Sequence, residues 1–217
     1  MKIGIIGATG NAGRLIAKEA YDRGHEVTAI VIDPENIDNK EYAVIHKSIY
    51  DLTVDDVKDF DAVINCFGVF NPAKLFQHQT TVMTLIYIFE QLPNVRFLMV
   101  GGAASLYTDE TKTTRLFSTF GMSEDSVPGH MAKAFAMLRE SNVNWTYFSP
   151  AANFDRQGPR TSQFIIGDND VVIKNEDGDS YISYADYAIA MLDEVEQKRF
   201  IRRRLTAVSR HTPKKAE

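Results

Sequence analysis

The chain has 217 residues, 44% of them hydrophobic and 24% charged, a size and composition that fit one folded domain and exclude a disordered or fibrous chain. Its formal net charge of -5 offers nucleic acid no electrostatic footing, and the basic run Arg199, Arg202, Arg203, Arg204, Arg210, Lys214 and Lys215 reads as a solvated last strand and tail. The lone cysteine, Cys66, excludes an internal disulfide and a paired-cysteine metal motif, no apolar run is long enough to span a bilayer, and the opening residues lack a signal-peptide pattern, so a reducing cytoplasm is expected.

In chain order, strands are predicted over 2–6, 26–32, 42–46, 62–67, 95–100 and 145–148, each rich in β-branched, aliphatic or aromatic residues. Helices are predicted over 11–23, 73–91 and 129–140, with a short turn after Thr53. This alternation predicts an α/β class: a Rossmann-like open, mainly parallel doubly wound sheet. Beyond Pro150 the pattern changes. Short strands over 163–166 and 171–174 flank an Asp168-Asn169 turn, with a second turn over 175–178, giving a small substrate-side substructure over 151–182 inside one domain, 1–210. The Asp-rich turn lacks the spaced ligand series of a calcium loop, and no metal is expected. Ser183 should cap a last helix running to about Gln197, a strand follows over 204–208, and 211–217 reads as a flexible tail.

Between the first strand and the first helix lies Gly7-Ala8-Thr9-Gly10-Asn11-Ala12-Gly13. Without Cβ atoms, Gly7 can turn the chain off the strand, Gly10 can admit a pyrophosphate to the backbone, and Gly13 can let the helix pack on the strand. The free N–H groups and positive end of the helix would face the phosphates, with Thr9 and Asn11 adding side-chain bonds. Small residues also serve close packing at such turns, but this spacing in this context favours a bound nicotinamide dinucleotide, NAD(H) or NADP(H). The choice between the two falls at Val31-Ile32-Asp33-Pro34-Glu35. Asp33, Glu35 and Asp38 make that stretch acidic and Lys40 is its first cation, which leans to NADH; Asp33 equally fits a turn former before Pro34.

Three further segments stand out: Val100-Gly101-Gly102-Ala103-Ala104-Ser105-Leu106, Trp145-Thr146-Tyr147-Phe148-Ser149-Pro150-Ala151 and Ile182-Ser183-Tyr184-Ala185-Asp186-Tyr187-Ala188. With the glycine loop they make the chain, over nearly its whole length, similar to the atypical short-chain dehydrogenase/reductase superfamily. The likeness is to its NmrA-like group of NADH-flavin reductases and to the biliverdin/flavin reductases. The resemblance implies a dinucleotide lying across the C-terminal edges of the strands. Cys66, Phe67 and Gly68 would border its adenosine half, Gly101, Gly102 and Ala103 its centre, and Pro150, Ala151 and Ala152 its nicotinamide. Two departures stand against the family pattern. Ile32 replaces the usual arginine after the second strand, and Gln157-Gly158-Pro159-Arg160-Thr161-Ser162 replaces Pro-Gly-Glu-Arg-Thr-Gly, keeping Arg160 and Thr161 for a loop over the substrate.

In the wider superfamily a serine, and a tyrosine four residues before a lysine, polarise a carbonyl and relay its proton. Ser105 matches the serine and Lys133 is a candidate lysine, but Gly129 stands where the tyrosine would, and His130 is not at that spacing. Alcohol dehydrogenation is therefore disfavoured, because a developing alkoxide needs a donor. A flavin or similar planar acceptor can take hydride by positioning alone. Phe154, with Tyr107, Phe117 and Phe120, is a candidate wall for such an acceptor, although aromatics also fill cores. Ser105 also fits a turn, Lys133 a solvated helix position, and Cys66 a buried strand position. Two readings remain: an NAD(P)H-dependent reductase of a planar acceptor, or a redox sensor that binds the dinucleotide and acts through a protein partner. The missing tyrosine and the short C-terminal part argue against a nucleotide-sugar epimerase or dehydratase.

Overall fold

The computed structural model describes residues 1–213. Strands β1 (Lys2–Ile6), β2 (Glu26–Val31), β3 (Ala43–His46), β4 (Ala62–Asn65), β5 (Arg96–Val100), β6 (Trp145–Ser149) and β10 (Arg203–Ser209) run parallel in the order β3-β2-β1-β4-β5-β6-β10. An eighth strand, β8 (Phe164–Gly167), closes the far edge antiparallel to β10. Helices α1 (Asn11–Asp22) and α6 (Tyr184–Gln197) pack together on one face, α3 (Gln77–Phe89) and α5 (Val127–Glu140) on the other. One-turn helices α2 (Val54–Val57) and α4 (Leu116–Thr119) lie in connections, and β7 (Asn153–Asp155) pairs with β9 (Tyr181–Ser183) in a separate parallel ribbon. The fold is Rossmann-like.

The alternation that marks these strands is of elements, not of residues. Every residue of β4 and β6 is buried, as expected of strands covered by helices on both faces. Two apolar layers result, one against α1 and α6 around Ile5, Ile16, Phe148 and Leu192, the other against α3 and α5 around Val63, Leu85, Phe97 and Leu138.

The structure departs from the sequence-based elements where local chemistry intervenes. Ser126 caps α5 by accepting from the Gly129 amide, and Pro128 suits the first turn, so this helix starts at Val127 rather than at Gly129. Pro72 sets a separate 3-10 turn (Pro72–Lys74) ahead of α3. Residues 171–174 form no strand; the amide of Tyr107 donates to Asp170 O and that of Val172 to Tyr107 O, at 2.8 Å each, so this backbone pairs with the 107 loop. The strands β7 and β9 are three residues each, too short for periodicity to reveal. Arg204, assigned to a solvated strand, is 5% exposed. His211 pairs with Asp177 at 3.3 Å and the Thr212 amide donates to the same carboxylate at 2.8 Å, so the beginning of the expected tail is tied to the 175–178 turn; 214–217 lie outside the described residues.

One buried ion pair ties the sheet to α6. Arg96 Nη2 donates to Glu194 Oε1 at 2.8 Å and to Thr146 Oγ1 at 2.6 Å, and Glu194 also accepts from the amides of Arg199 and Phe200. Desolvation lowers the pKa of Arg96 from its usual range, partly offset by Glu194. Glu194→Ala leaves an unpaired buried guanidinium and should cost about 3–5 kcal/mol in denaturant unfolding, while Arg96→Met with Glu194→Leu should recover most of that loss. A single-variant loss below ~1 kcal/mol would show that the pair is not structural.

Candidate functional site

The glycine loop takes the form its residues require. Gly7 ends β1 with φ of 74°, a conformation that side chains disfavour, and its carbonyl accepts from the Gly10 amide at 2.9 Å. A Cβ on Gly13 would lie 2.2 Å from Gly7 O, so only glycine lets α1 sit this close to the loop. α1 begins at Gly10 without a side-chain cap and without an acid in its first turn, whereas Ser126 and Ser183 cap α5 and α6. Its positive end is thus uncompensated by the chain, and Thr9, Gly10, Asn11 and Ala12 beside it are exposed or half-buried. A cradle of this kind, closed to a Cβ at Gly13 and open above Gly10, fits a pyrophosphate.

The remaining residues assigned to the dinucleotide fall along the same sheet edge. Cys66, Phe67 and Gly68 follow β4, with the Phe67 amide held by Asn65 Oδ1 at 3.0 Å and burial pushing the Cys66 thiol far above its usual pKa. Gly101 and Gly102 follow β5. A Cβ on Gly101 would fall 2.3 Å from the Tyr147 ring, and the Gly102 amide donates to Tyr147 Oη at 3.1 Å. Beside them, Pro150 and Ala151 follow β6. At the other end, Ile32 is 64% exposed just after β2, beside Asp33. Arg14 is tied into this stretch. Its Nε donates to Thr9 O at 2.8 Å, its Nη2 to Asn36 O at 3.2 Å, and its Nη1 lies 3.4 Å from Asp38. No sequence signal marks Arg14, since its partners become neighbours only when β2 lies beside β1.

Next to Gly102 and Pro150 opens a cavity of about 250 Å³. Its walls are apolar: Leu116, Phe120, Met122, Met131 and Phe154, with Ala103 and Ser105 at the floor. Phe154 stacks on Tyr184 at 3.8 Å between centroids, which fixes its ring as a wall. Phe120 joins it as expected. Tyr107 and Phe117 do not line this cavity; Tyr107 stacks with Arg115, and Phe117 lines a second cavity of about 340 Å³ against α5. Lys133 lines that second cavity too, 3.5 Å from Glu124, so the helix turns it away from Phe154. His130 binds Gln79 Oε1 at 2.8 Å, outside both.

Arg160, expected over the substrate, does not line the cavity beside Gly102. Its guanidinium forks onto Glu19 of α1, alongside Arg23. Burial raises the Glu19 pKa, but hydrogen bonds from Arg160 and Arg23 outweigh it and hold the carboxyl below its usual range. Thr161, the other family residue kept here, caps Asp186 with its amide and hydroxyl at 2.7 and 2.6 Å. Both therefore anchor the 157–162 loop to α1 and α6. Among the described residues no group of His, Cys, Asp or Glu could hold a metal, and no helix is long and apolar enough to cross a membrane.

The φ of Gly10 is -77°, open to any residue, and an added Cβ would lie 3.2 Å from Gly7 O, so Gly10→Val should fold with a small shift of that carbonyl. Its side chain would fill the space over the helix end, and calorimetric titration should show dinucleotide affinity reduced by about a hundredfold or more in a variant that still unfolds cooperatively. Native affinity in the folded variant would remove the site from this loop.

The chain matches the model of the NAD(P)H-binding family over residues 7–198. It is 45% identical over 212 residues to the uncharacterized protein YwnB of Bacillus subtilis (strain 168), covering 96% of this chain and 99% of that one. The crystal structure of a "putative NADH-flavin reductase" from Streptococcus pneumoniae TIGR4 is similar at 42% identity and a TM-score of 0.88, over 96% of this chain and 99% of that one. That of a "putative epimerase" from Bacteroides thetaiotaomicron is similar at 32% identity and a TM-score of 0.83, over 98% and 99%. On its family match, its relatives and the glycine cradle at its sheet edge, the chain belongs to the NAD(P)H-binding family of Rossmann-like proteins.

Proposed function

We propose that the protein is a cytoplasmic NAD(P)H-dependent reductase of a flavin or similar planar acceptor. The observation that carries this reading is the apolar cavity beside Gly102 and Pro150, walled by Phe154 and Phe120 and lacking a tyrosine–lysine pair. The dinucleotide, when bound, supplies a hydride from its nicotinamide ring. The chain's own part is to hold the phosphates at Gly10–Gly13, to keep the 101–103 backbone close through Gly101, and to present the acceptor's flat face with Phe154. Leu116, Met122 and Met131 exclude water from the contact. A carbonyl substrate would need a proton relay, and Gly129 and the outward Lys133 leave none. The same absence argues against sugar epimerisation. The name of the Streptococcus pneumoniae protein supports flavin as the acceptor class.

The deciding measurement is anaerobic oxidation of NADH and NADPH over FMN, FAD, quinones and biliverdin. Turnover with a planar acceptor is expected; tight dinucleotide binding with no turnover on any of them would instead assign the protein to a redox sensor working through a partner. Phe154→Ala should raise the KM for the acceptor about tenfold with a smaller effect on kcat. Lys133→Ala, in the other cavity, should leave both unchanged, and a hundredfold loss there would restore a general-acid mechanism.

NADH should bind at least as well as NADPH. Asp33, Glu35 and Asp38 stand at the adenosine end, and the guanidinium of Arg14 is already engaged by two carbonyls and Asp38. Ile32→Arg should shift preference toward NADPH through a bond to the 2′-phosphate. A native preference for NADPH of about tenfold, ~1.4 kcal/mol, would show that Arg14 leaves its partners for the phosphate.

A further inference from the structure

The backbone at Gly102 and Ser105, which lines the acceptor cavity, is backed by a buried cation. Arg204 of β10 lies beside the stacked rings of Phe135 and Tyr147, its Cζ 5.1 and 5.6 Å from their centroids. Its donors are spent on the two strand ends that form the cavity floor: Nε to Ser149 Oγ at 2.8 Å, Nη1 to Ser105 O at 3.1 Å, Nη2 to Ser105 Oγ at 2.9 Å and to Gly102 O at 3.3 Å. Asp170 forms a long ion pair with Nη1 at 3.6 Å and offsets part of the charge from the side away from Ser105 Oγ, which Nη2 holds. Arg115 adds a second guanidinium on Ser105 O at 2.6 Å.

An arginine donates and never accepts. The Ser105 oxygen that receives Nη2 must therefore turn its own proton elsewhere, and Ser105 borders both cavities, the one beside Gly102 and the one that holds Lys133. We infer that Arg204 is the positioning residue of this site. It fixes the Ser105 hydroxyl as a donor to the acceptor and sets a buried positive charge behind it, so the site selects planar acceptors whose two-electron reduced form is an anion. The inference rests on the reductase reading and specifies its acceptor.

The chemistry balances without a side-chain acid. A hydride leaves the nicotinamide carbon and forms an N–H bond at N5 of an isoalloxazine; the displaced electron pair settles on its N1–C2=O edge, giving the hydroquinone anion and NAD⁺, and water supplies the last proton after release. A Ser105 donor backed by Arg204 stabilises that negative edge. The guanidinium keeps its charge even though burial lowers its pKa.

The test is equilibrium binding of lumiflavin, which carries no phosphate, to the protein saturated with NAD⁺ under anaerobic, mildly alkaline conditions. The oxidised form is followed by fluorescence quenching and the dithionite-reduced form by absorbance. The native protein should bind the reduced form about tenfold tighter or more than the oxidised form. Arg204→Met should abolish that preference and leave oxidised-form affinity within about twofold, and Arg204→Lys should keep part of it. Ser105→Ala, which retains the charge, should reduce the preference about threefold or more and stands as the test if Arg204→Met does not fold. An unchanged reduced-to-oxidised ratio in Arg204→Met, or in Ser105→Ala where that variant is the test, overturns the inference and leaves the reductase reading intact. Failure of the native protein to bind either form overturns the planar-acceptor reading and the inference together.

Discussion

The contact between Gly13 and the carbonyl of Gly7 sets the rest of the site. The 2.2 Å that a Cβ would leave there means α1 meets the end of β1 with no side chain between them. That approach fixes the helix axis against the sheet and carries its uncapped first turn to the strand ends. It also lays Ile16 and Ala20 into the layer shared with α6, whose cap at Ser183 follows directly from β9. A helix held further out would still bury its apolar stripe, but its N–H groups would no longer converge on one point at the edge of the sheet.

Around that edge the chain divides its charges by depth. Exposed acids sit in the stretch after β2, with Arg14 neutralising part of their field from the first turn of α1. Buried cations sit inside: Arg96 paired with Glu194 beneath the sheet, and Arg204 held by hydroxyls and carbonyls behind the cavity. The two differ in kind. Glu194 compensates Arg96 at 2.8 Å, a close and fully buried pair, whereas Arg204 has a looser, partly exposed counter-charge in Asp170 at 3.6 Å and spends its short bonds on hydroxyls and carbonyls at Ser105 and Ser149.

The antiparallel strand β8 matters to this arrangement because of the segment it leads into. Pairing of Gly167 with Thr206 sends residues 168–170 back along β10, where Asp168 meets Arg203 at 2.6 Å and Asp170 comes near Arg204. The backbone then crosses to Tyr107, which holds the segment leading from Ser105 to α4 and the cavity wall. A short edge strand far from the glycine loop in sequence thus shapes the cavity beside Gly102.

Sequence alone determined the features that depend on neighbours along the chain. Unbroken apolar runs specify two-sided burial, a glycine spacing directly after a strand specifies a close helix start, and Ser183 ahead of an amphipathic stretch specifies the start of α6. The same local rules placed Gly7, Gly10 and Gly13 at one strand end, and the absence of a tyrosine before Lys133 was equally plain. Tertiary structure decided what depends on pairing across distance. Arg204 and Arg203 are adjacent letters in one basic run, yet β10 turns successive residues to opposite faces, so one lies under Ser105 and the other meets Asp168. Arg160 matches a family position but is drawn to Glu19, a partner 141 residues earlier in the chain. Lys133 and Met131 are two residues apart on α5, and the 3.6-residue turn puts Met131 in the cavity beside Gly102 and Lys133 outside it. Composition and spacing do not encode those choices, because each depends on which face meets which neighbour once the sheet has assembled.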